Sequence, residues 1–180
     1  MVTNNTLIII FDFFFIRSKK NWKIFIYWVY GGIYSVKNEK KMTYDDNNIF
    51  AKILRGEIPS ENVYENDKVL VFMDIMPRSP GHLLVIPKSK CRNILDIDIE
   101  DLHAVIETVQ MMAKIVLKAL KADGVTIQQF NEAPGGQEVF HLHFHIIPRY
   151  SGERMGLPGK MVEDMSALKN QADKIRSLLK

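Results

Sequence analysis

Cysteine is almost missing from this chain. The one residue, Cys91, can close no internal disulfide and forms no Cys-x-x-Cys metal or redox pair, which fits a reducing compartment and makes the cytoplasm the expected location. Long apolar runs are missing as well. Leu7–Ile16, interrupted by Asp12, covers ten residues and Ile24–Val36 thirteen, both short of the roughly 20 that a helix needs to cross a bilayer. The opening Met1–Thr6 has no basic stretch, and no small-residue cleavage site follows, so a secretory signal is not expected.

Residues 1–41 lack Ala, Pro and Gln altogether and are crowded with Ile, Phe, Tyr, Asn and Lys. They carry seven Lys and Arg against Asp12 and Glu39, a charge of +5 in a chain whose total is +3, so residues 42–180 carry −2. A mildly acidic domain offers no broad nucleic-acid surface, and any anion site in it must be local. The break in composition divides the chain into an atypical N-terminal extension, 1–41, outside the working fold, and one globular domain, 42–180. An interfacial anchor built on the basic and aromatic residues of 1–41, or an additional ordered element, are the other readings of that extension; without such an anchor no membrane contact is expected.

From Asn47 the pattern becomes regular. Asn47 or Asn48 caps a short helix through Leu54, with Ile49, Phe50, Ile53 and Leu54 as its apolar stripe and Gly56 as its stop. Val63–Glu65 and Val69–Met73, joined through Asn66-Asp67, read as a hairpin. Asp74–Gly81, with Pro77 and Pro80, is loop, and His82–Ile86 is a buried strand ended by Pro87. Asp98 caps a long helix from Ile99 to Ala122 whose buried stripe is Leu102, Val105, Ile106, Val109, Met112, Ala113, Val116, Leu117 and Leu120. His103 falls beside that stripe as a solvated residue. Asp123-Gly124 closes the helix, Val125–Asn131 is a strand, Glu132–Gly136 a tight loop able to bring backbone N–H groups close to an anion, and Ser166–Leu179 a final helix.

Three of the chain's five histidines stand in His141-Leu142-His143-Phe144-His145-Ile146-Ile147. Alternation at period two predicts a strand with the imidazoles on one face, about 6.6 Å apart along it, and Leu142, Phe144 and Ile146 on the core face. Such a row gives up apolar burial for chemistry, either a metal site or a nucleophile site.

Residues 47–150 resemble the Hint-like branch of the histidine triad (HIT) family, whose His-φ-His-φ-His-φ-φ signature fits His141–Ile147 at every position. Ile49–Ile53 with Glu57-Ile58-Pro59, Phe72–Ile75 with Pro77, Gly81–Lys88 and Gly136-Gln137 recur in the family in the same order. The resemblance implies an α+β domain: a five-stranded antiparallel sheet with one long and one or two shorter helices, pairing into a ten-stranded sheet in a homodimer. It also implies a nucleotide hydrolase that releases a nucleoside monophosphate from phosphoramidate, dinucleoside polyphosphate or adenylylated substrates. His143 would be the nucleophile, His141 and His145 would order it and supply proton donors, and His82 would support the site. Asp74 would hold the ribose; Ile49, Phe50 and Ile53 would wall the base, expected to be a purine and adenosine-like; Asn131, Gly136, Gln137 and Glu138 would line the phosphate side. Glu138 replaces the Ser or Thr of many relatives, whose hydroxyl assists a leaving amine. Zinc-binding relatives carry two Cys and a His where this chain has Asn48, Ala51 and Lys90, so neither a metal nor any other cofactor is implied. A purine-nucleotide-binding regulatory module with little turnover is the alternative, and a metal enzyme ligated by the three histidines the third reading.

Overall fold

The computed structural model describes residues 26–29, 32–35, 43–159 and 162–179. Its chain contacts divide into two units, Met1–Met42 and Thr43–Lys180. The first contains an antiparallel pair, β1 (Ile26–Val29) and β2 (Gly32–Ser35), in which Ile26 faces Ser35. The expected apolar run Leu7–Ile16, and the parts of Ile24–Val36 outside these two strands, lie outside the described residues.

The second unit is built on a five-stranded sheet. Helix α1 (Ile49–Leu54) opens it, capped by Asn48, whose side chain accepts from Ala51 N–H at 2.9 Å. The hairpin β3 (Asn62–Glu65) and β4 (Val69–Met73) turns on Asn66, whose side-chain oxygen accepts from the N–H groups of Lys68 and Val69. Strand β5 (Leu83–Pro87) follows, then helix α2 (Ile99–Leu120), capped by Asp98 and ended by Lys121 in the left-handed conformation, φ 53°. The expected end at Asp123-Gly124 therefore comes early, and Gly124 instead opens β6 (Gly124–Gln128). A short 3₁₀ turn, Ala133–Gly135, leads to β7 (Phe144–Arg149), and α3 (Met165–Arg176), capped by Asp164, closes the unit.

The sheet is antiparallel throughout in the order β3-β4-β5-β7-β6. β7, last in sequence, is inserted between β5 and β6. Because side chains alternate across a sheet, two cores form. Val69, Val71, Met73, Leu83, Val85, Phe144 and Ile146 pack against α2 and α3 through Val105, Val109, Met112, Val116, Leu168, Ala172 and Ile175. On the opposite face, Leu70, Phe72, Leu84 and Ile86 pack against Phe50, with Ile53, Leu54 and Val139 beside them.

Two expectations change. Of the expected stripe of α2, Val105, Val109, Met112 and Val116 are buried, Leu102, Ala113, Leu117 and Leu120 are only partly so, and Ile106 is 46% exposed; Thr108 is buried as well, bonding its hydroxyl to the Ala104 carbonyl. The histidine segment is not one strand. His141, Leu142 and His143 precede the ladder, because Leu142 N–H donates to the Cys91 carbonyl at 3.0 Å instead of to a neighbouring strand. His103 is solvent-exposed, as its place beside the stripe predicts.

Candidate active site

The three imidazoles converge on the α1 side of the sheet although only His145 belongs to a strand. His145 lies opposite Leu84 in the β5–β7 register, and its ring is 5.0 Å, centre to centre, from that of His143. Phe50 of α1 presses edge-on against both His143 (5.1 Å) and His141 (6.2 Å). Leu142, Phe144 and Ile146 point into the helix-side core, as the alternation predicts.

For His141 and His143, a backbone carbonyl fixes which ring nitrogen carries the proton. His141 Nε2 lies 2.9 Å from the Pro87 carbonyl, which can only accept, so Nε2 holds the proton and Nδ1 is bare. Tyr44 fills that bare position, donating its hydroxyl to Nδ1 at 2.5 Å. Both nitrogens of His141 are thus spent on the protein, and the expectation that its ring supplies a proton donor gives way. Its backbone does the work instead: the His141 carbonyl accepts from His143 Nδ1 at 2.7 Å. That leaves Nε2 of His143 with its lone pair and without a hydrogen-bond partner among the described residues, the state required of an imidazole nucleophile.

His145 Nδ1 meets His82 Nε2 at 2.9 Å. His82 is held at the mouth of β5 by Gly81, whose φ of +86° suits glycine and where a Cβ would come within 2.0 Å of the Leu120 side chain. The Gly81 N–H also donates to Gln171 of α3 at 2.7 Å. Asp74 Oδ2 lies 3.1 Å from His82 Nδ1, and its Oδ1 accepts from Met76 N–H at 2.8 Å. One donor atom from each of Asp74, His82 and His145 falls within 4.8 Å of the others, a spacing that a divalent cation could bridge. His82 already meets Asp74 through Nδ1 and His145 through Nε2, so both of its nitrogens have protein partners.

Burial sets the protonation. Desolvation pushes His82 and His145 down to about 3 and His141 to about 4; Arg78 and His143 add to the effect on His82, and His143, His82 and Arg78 to that on His145. His143 is lowered mainly by the same burial, against the pull of the His141 carbonyl and of Asp74 and Glu138. Burial raises the Asp74 carboxyl. All four imidazoles are neutral at pH 7.

The remaining expected residues divide. Phe50 is buried, whereas Ile49 is 43% exposed and Ile53 packs beside the α1-side core. Glu138 is exposed, and its charge reaches His143. Gly136, at φ +91°, lies against Phe130, which in turn meets His145 edge-on at 5.8 Å. Gln137 and Asn131 are occupied by the protein. Gln137 Oε1 accepts from Glu132 N–H at 2.8 Å and its Nε2 donates to the Arg92 and Val139 carbonyls; Asn131 Oδ1 accepts from Ile94 N–H, and its amide exchanges bonds with Gln129. Through these bonds the two amides brace the 131–139 loop from within.

Sequence reasoning passed over three residues. Tyr44 precedes every element of the sheet and reaches His141 across 97 positions. Arg78 clasps Gly156 in both directions, Nε to the Gly156 carbonyl at 3.0 Å and Gly156 N–H to the Arg78 carbonyl at 2.7 Å, and bonds Gln128, the ladder partner of His145. Glu132, strained at φ 62°, is held by a two-pronged ion pair to Arg92 (2.7 and 2.8 Å) and by Asn93. Only the last had a readable signal, an acidic residue opening a glycine-bearing turn.

Comparison with known proteins agrees with this geometry. The chain is 47% identical over 105 residues to an uncharacterised HIT-like protein of Methanocaldococcus jannaschii, covering 58% of this chain and 81% of that one. It is 37% identical over 103 residues to the purine nucleoside phosphoramidase of Escherichia coli K12, covering 57% and 87%. Among solved structures, a HIT-like protein of Bartonella henselae, described as involved in cell-cycle regulation, superposes with a TM-score of 0.72 at 54% identity, covering 76% of this chain and 98% of that one. The family model for the HIT domain matches residues 55–152, from the end of α1 past the last triad histidine. With the sheet order, the converging imidazoles and these matches together, the chain belongs to the HIT domain family.

Proposed function

We propose that this protein is a nucleotide hydrolase that releases a nucleoside monophosphate from phosphoramidate, dinucleoside polyphosphate or adenylylated substrates through a covalent intermediate on His143. The observation that carries the reading is the 2.7 Å bond from His143 Nδ1 to the His141 carbonyl, which commits the other nitrogen to attack. Nε2 bonds to the α-phosphorus, the bond from phosphorus to the leaving nitrogen or oxygen breaks, and His145 gives the leaving group its proton. Water then attacks the same phosphorus while His145 takes a proton back, the phosphorus–His143 bond breaks, and a neutral His143 returns. Asp74 takes the ribose hydroxyls, Phe50 with Ile49 and Ile53 walls a purine base, adenine by preference, and the Gly136–Glu138 backbone faces the phosphate. The phosphoramidase name of the Escherichia coli relative supports a purine substrate.

Residues 42–180 form the working unit in this reading, as a cytoplasmic homodimer. Strands β3 and β6 each have one neighbour among the described residues, so the sheet has edges through which a second copy could extend it.

Intact-protein mass spectrometry tests the chemistry. The full chain, mixed with an adenosine phosphoramidate or a diadenosine polyphosphate and quenched without acid, should gain the mass of one nucleoside monophosphate minus water. The Met42–Lys180 form should do the same. His143→Ala should show no adduct and lose turnover by at least about 10⁴-fold while still binding nucleotide. An equal adduct in that variant sinks the mechanism; binding without any adduct or product in the unaltered protein favours the regulatory module.

A further inference from the structure

His82 Nδ1 lies between two partners with opposite demands. The carboxylate Oδ2 of Asp74, 3.1 Å away, calls for a proton on that nitrogen; the backbone N–H of Arg78, 3.3 Å away, calls for a bare one. A neutral imidazole carries one proton, so satisfying either partner decides the state of its other nitrogen. That other nitrogen is hydrogen-bonded at 2.9 Å to Nδ1 of His145, so the decision passes to the second ring.

With Asp74 engaged, His82 is Nδ1–H, its Nε2 accepts from His145 Nδ1–H, and His145 Nε2 is bare. With Arg78 engaged, His82 is Nε2–H and donates to a bare His145 Nδ1, so His145 Nε2 carries a proton. The first setting equips His145 to take a proton, the second to give one. His145 Nε2 has no protein partner among the described residues, and the ring adjoins His143 at 5.0 Å. The charged groups around the pair are Asp74 on the loop after β4 and Arg78 on the same loop, and the titratable neighbour is His143, neutral, on the approach to β7.

We infer that nucleotide binding throws this switch: the ribose diol, by taking the Asp74 carboxylate, releases His82 to Arg78 and so places the leaving-group proton on His145. Free Asp74 holds the first setting, because a full charge at 3.1 Å outranks a peptide dipole at 3.3 Å. Two hydroxyl donors on the carboxylate share its charge and weaken its hold on His82 below that of the Arg78 N–H. The protons balance: His82 loses one from Nδ1 by way of Asp74 to solvent, His145 passes one from Nδ1 to His82 Nε2, and His145 Nε2 gains one from solvent. Both rings stay neutral. Asp74 and His82 are thereby positioning residues for the proton on His145. The inference rests on the function proposed above and adds substrate-gated acid catalysis to it.

The test is the tautomer of each ring, read from the ¹⁵N shifts of the full chain labelled with ¹⁵N-histidine and assigned with His82→Gln and His145→Gln. Free protein should show Nδ1–H for both residues, and protein saturated with AMP should show Nε2–H for both. With 2′,3′-dideoxy-AMP, which lacks the diol, the His143 resonances should move on binding while His82 and His145 keep the Nδ1–H form. Identical tautomers in the free and AMP-bound protein, or a switch with the dideoxy nucleotide as well, overturns the inference and leaves the proposed function standing. Failure of any nucleotide to move the His143 resonances overturns the proposed function, and the inference with it. In turnover, the dideoxy form of an adenosine phosphoramidate should lose at least about tenfold in kcat, within the range for one general acid; a raised KM with kcat unchanged reduces Asp74 to a binding group and refutes the switch.

Discussion

The two faces of the sheet spend burial on different ends. On the α2–α3 face, alternate residues of β4, β5 and β7 are apolar, fully buried and closed over by two helices. On the α1 face the covering is one short helix and Val139, and places where apolar side chains would pack are taken by His141, His143 and His145. Removing an aliphatic group from water stabilises the fold. Removing an imidazole from water holds its pKa down, and the chain gives up stability for reactivity. Within β7 the contrast lies between neighbours: Ile146 is fully buried on one face and His145 partly open on the other.

If the faces differ in this way, damage to one should be separable from damage to the other. Ile146→Ala, on the sealed face, should cost about 2–5 kcal/mol of stability by denaturant unfolding, through lost burial and the cavity left behind, while turnover of the folded protein at low temperature changes little. A comparable loss of turnover would mean that the helix face shapes the site directly.

Between pH 7 and about 4.5 the pH response should come chiefly from the histidine face, with the ion-paired and capping carboxylates Glu57, Asp101, Asp123, Glu132 and Asp164 adding to it at the acid end. His82, His141 and His145 are held at about 3, 4 and 3 against 6.5 in the unfolded chain. Between those limits the unfolded state binds protons that the folded state refuses, so stability is complete above about pH 6.5, falls as the pH drops below it, and levels off near pH 3. Asp74, raised on folding, has the opposite sign above 3.8 and offsets part of the loss. Unfolding midpoints at pH 7, 5.5 and 4.5 should trace this decline, and His82→Gln should flatten it; a midpoint independent of pH removes the premise.

The smallest effect is expected at Tyr44, which backs the histidine face through His141. Tyr44→Phe keeps the ring and removes one hydrogen bond, so it should cost about 1 kcal/mol. It should also let His141 titrate above its value of about 4. Turnover should fall by about fivefold or less, with a new decline on the acid side of the rate profile. No change in the profile would make Tyr44 a packing residue only.

Local signals carried most of the fold. Asn48 and Asp98 at helix caps, the Asn66 turn and the apolar stripe of α2 act within a few residues of themselves, and each was readable. Where long-range bonding intervened, reading stopped. Alternation showed where His141 and His143 point but not that Leu142 would bond to Cys91 in place of a strand. That the three imidazoles share one side was legible in their spacing, and that His82 lies beside them in the family resemblance. Tyr44, by contrast, is an ordinary tyrosine in a polar stretch until the fold brings it to His141, and the side-chain amides of Asn131 and Gln137 point to a ligand until their protein partners are known.

The order of strands has a consequence for how the protein is made. β7 fills the gap between β5 and β6, yet α2 and β6 are both synthesised before it. During translation β5 emerges with one edge unsatisfied, and it stays so until the histidine segment leaves the ribosome. The same event completes the sheet and brings His145 to the other imidazoles, so a nascent chain stalled before Phe144 lacks the histidine cluster and is open-edged, the state in which strand-to-strand aggregation is most readily seeded.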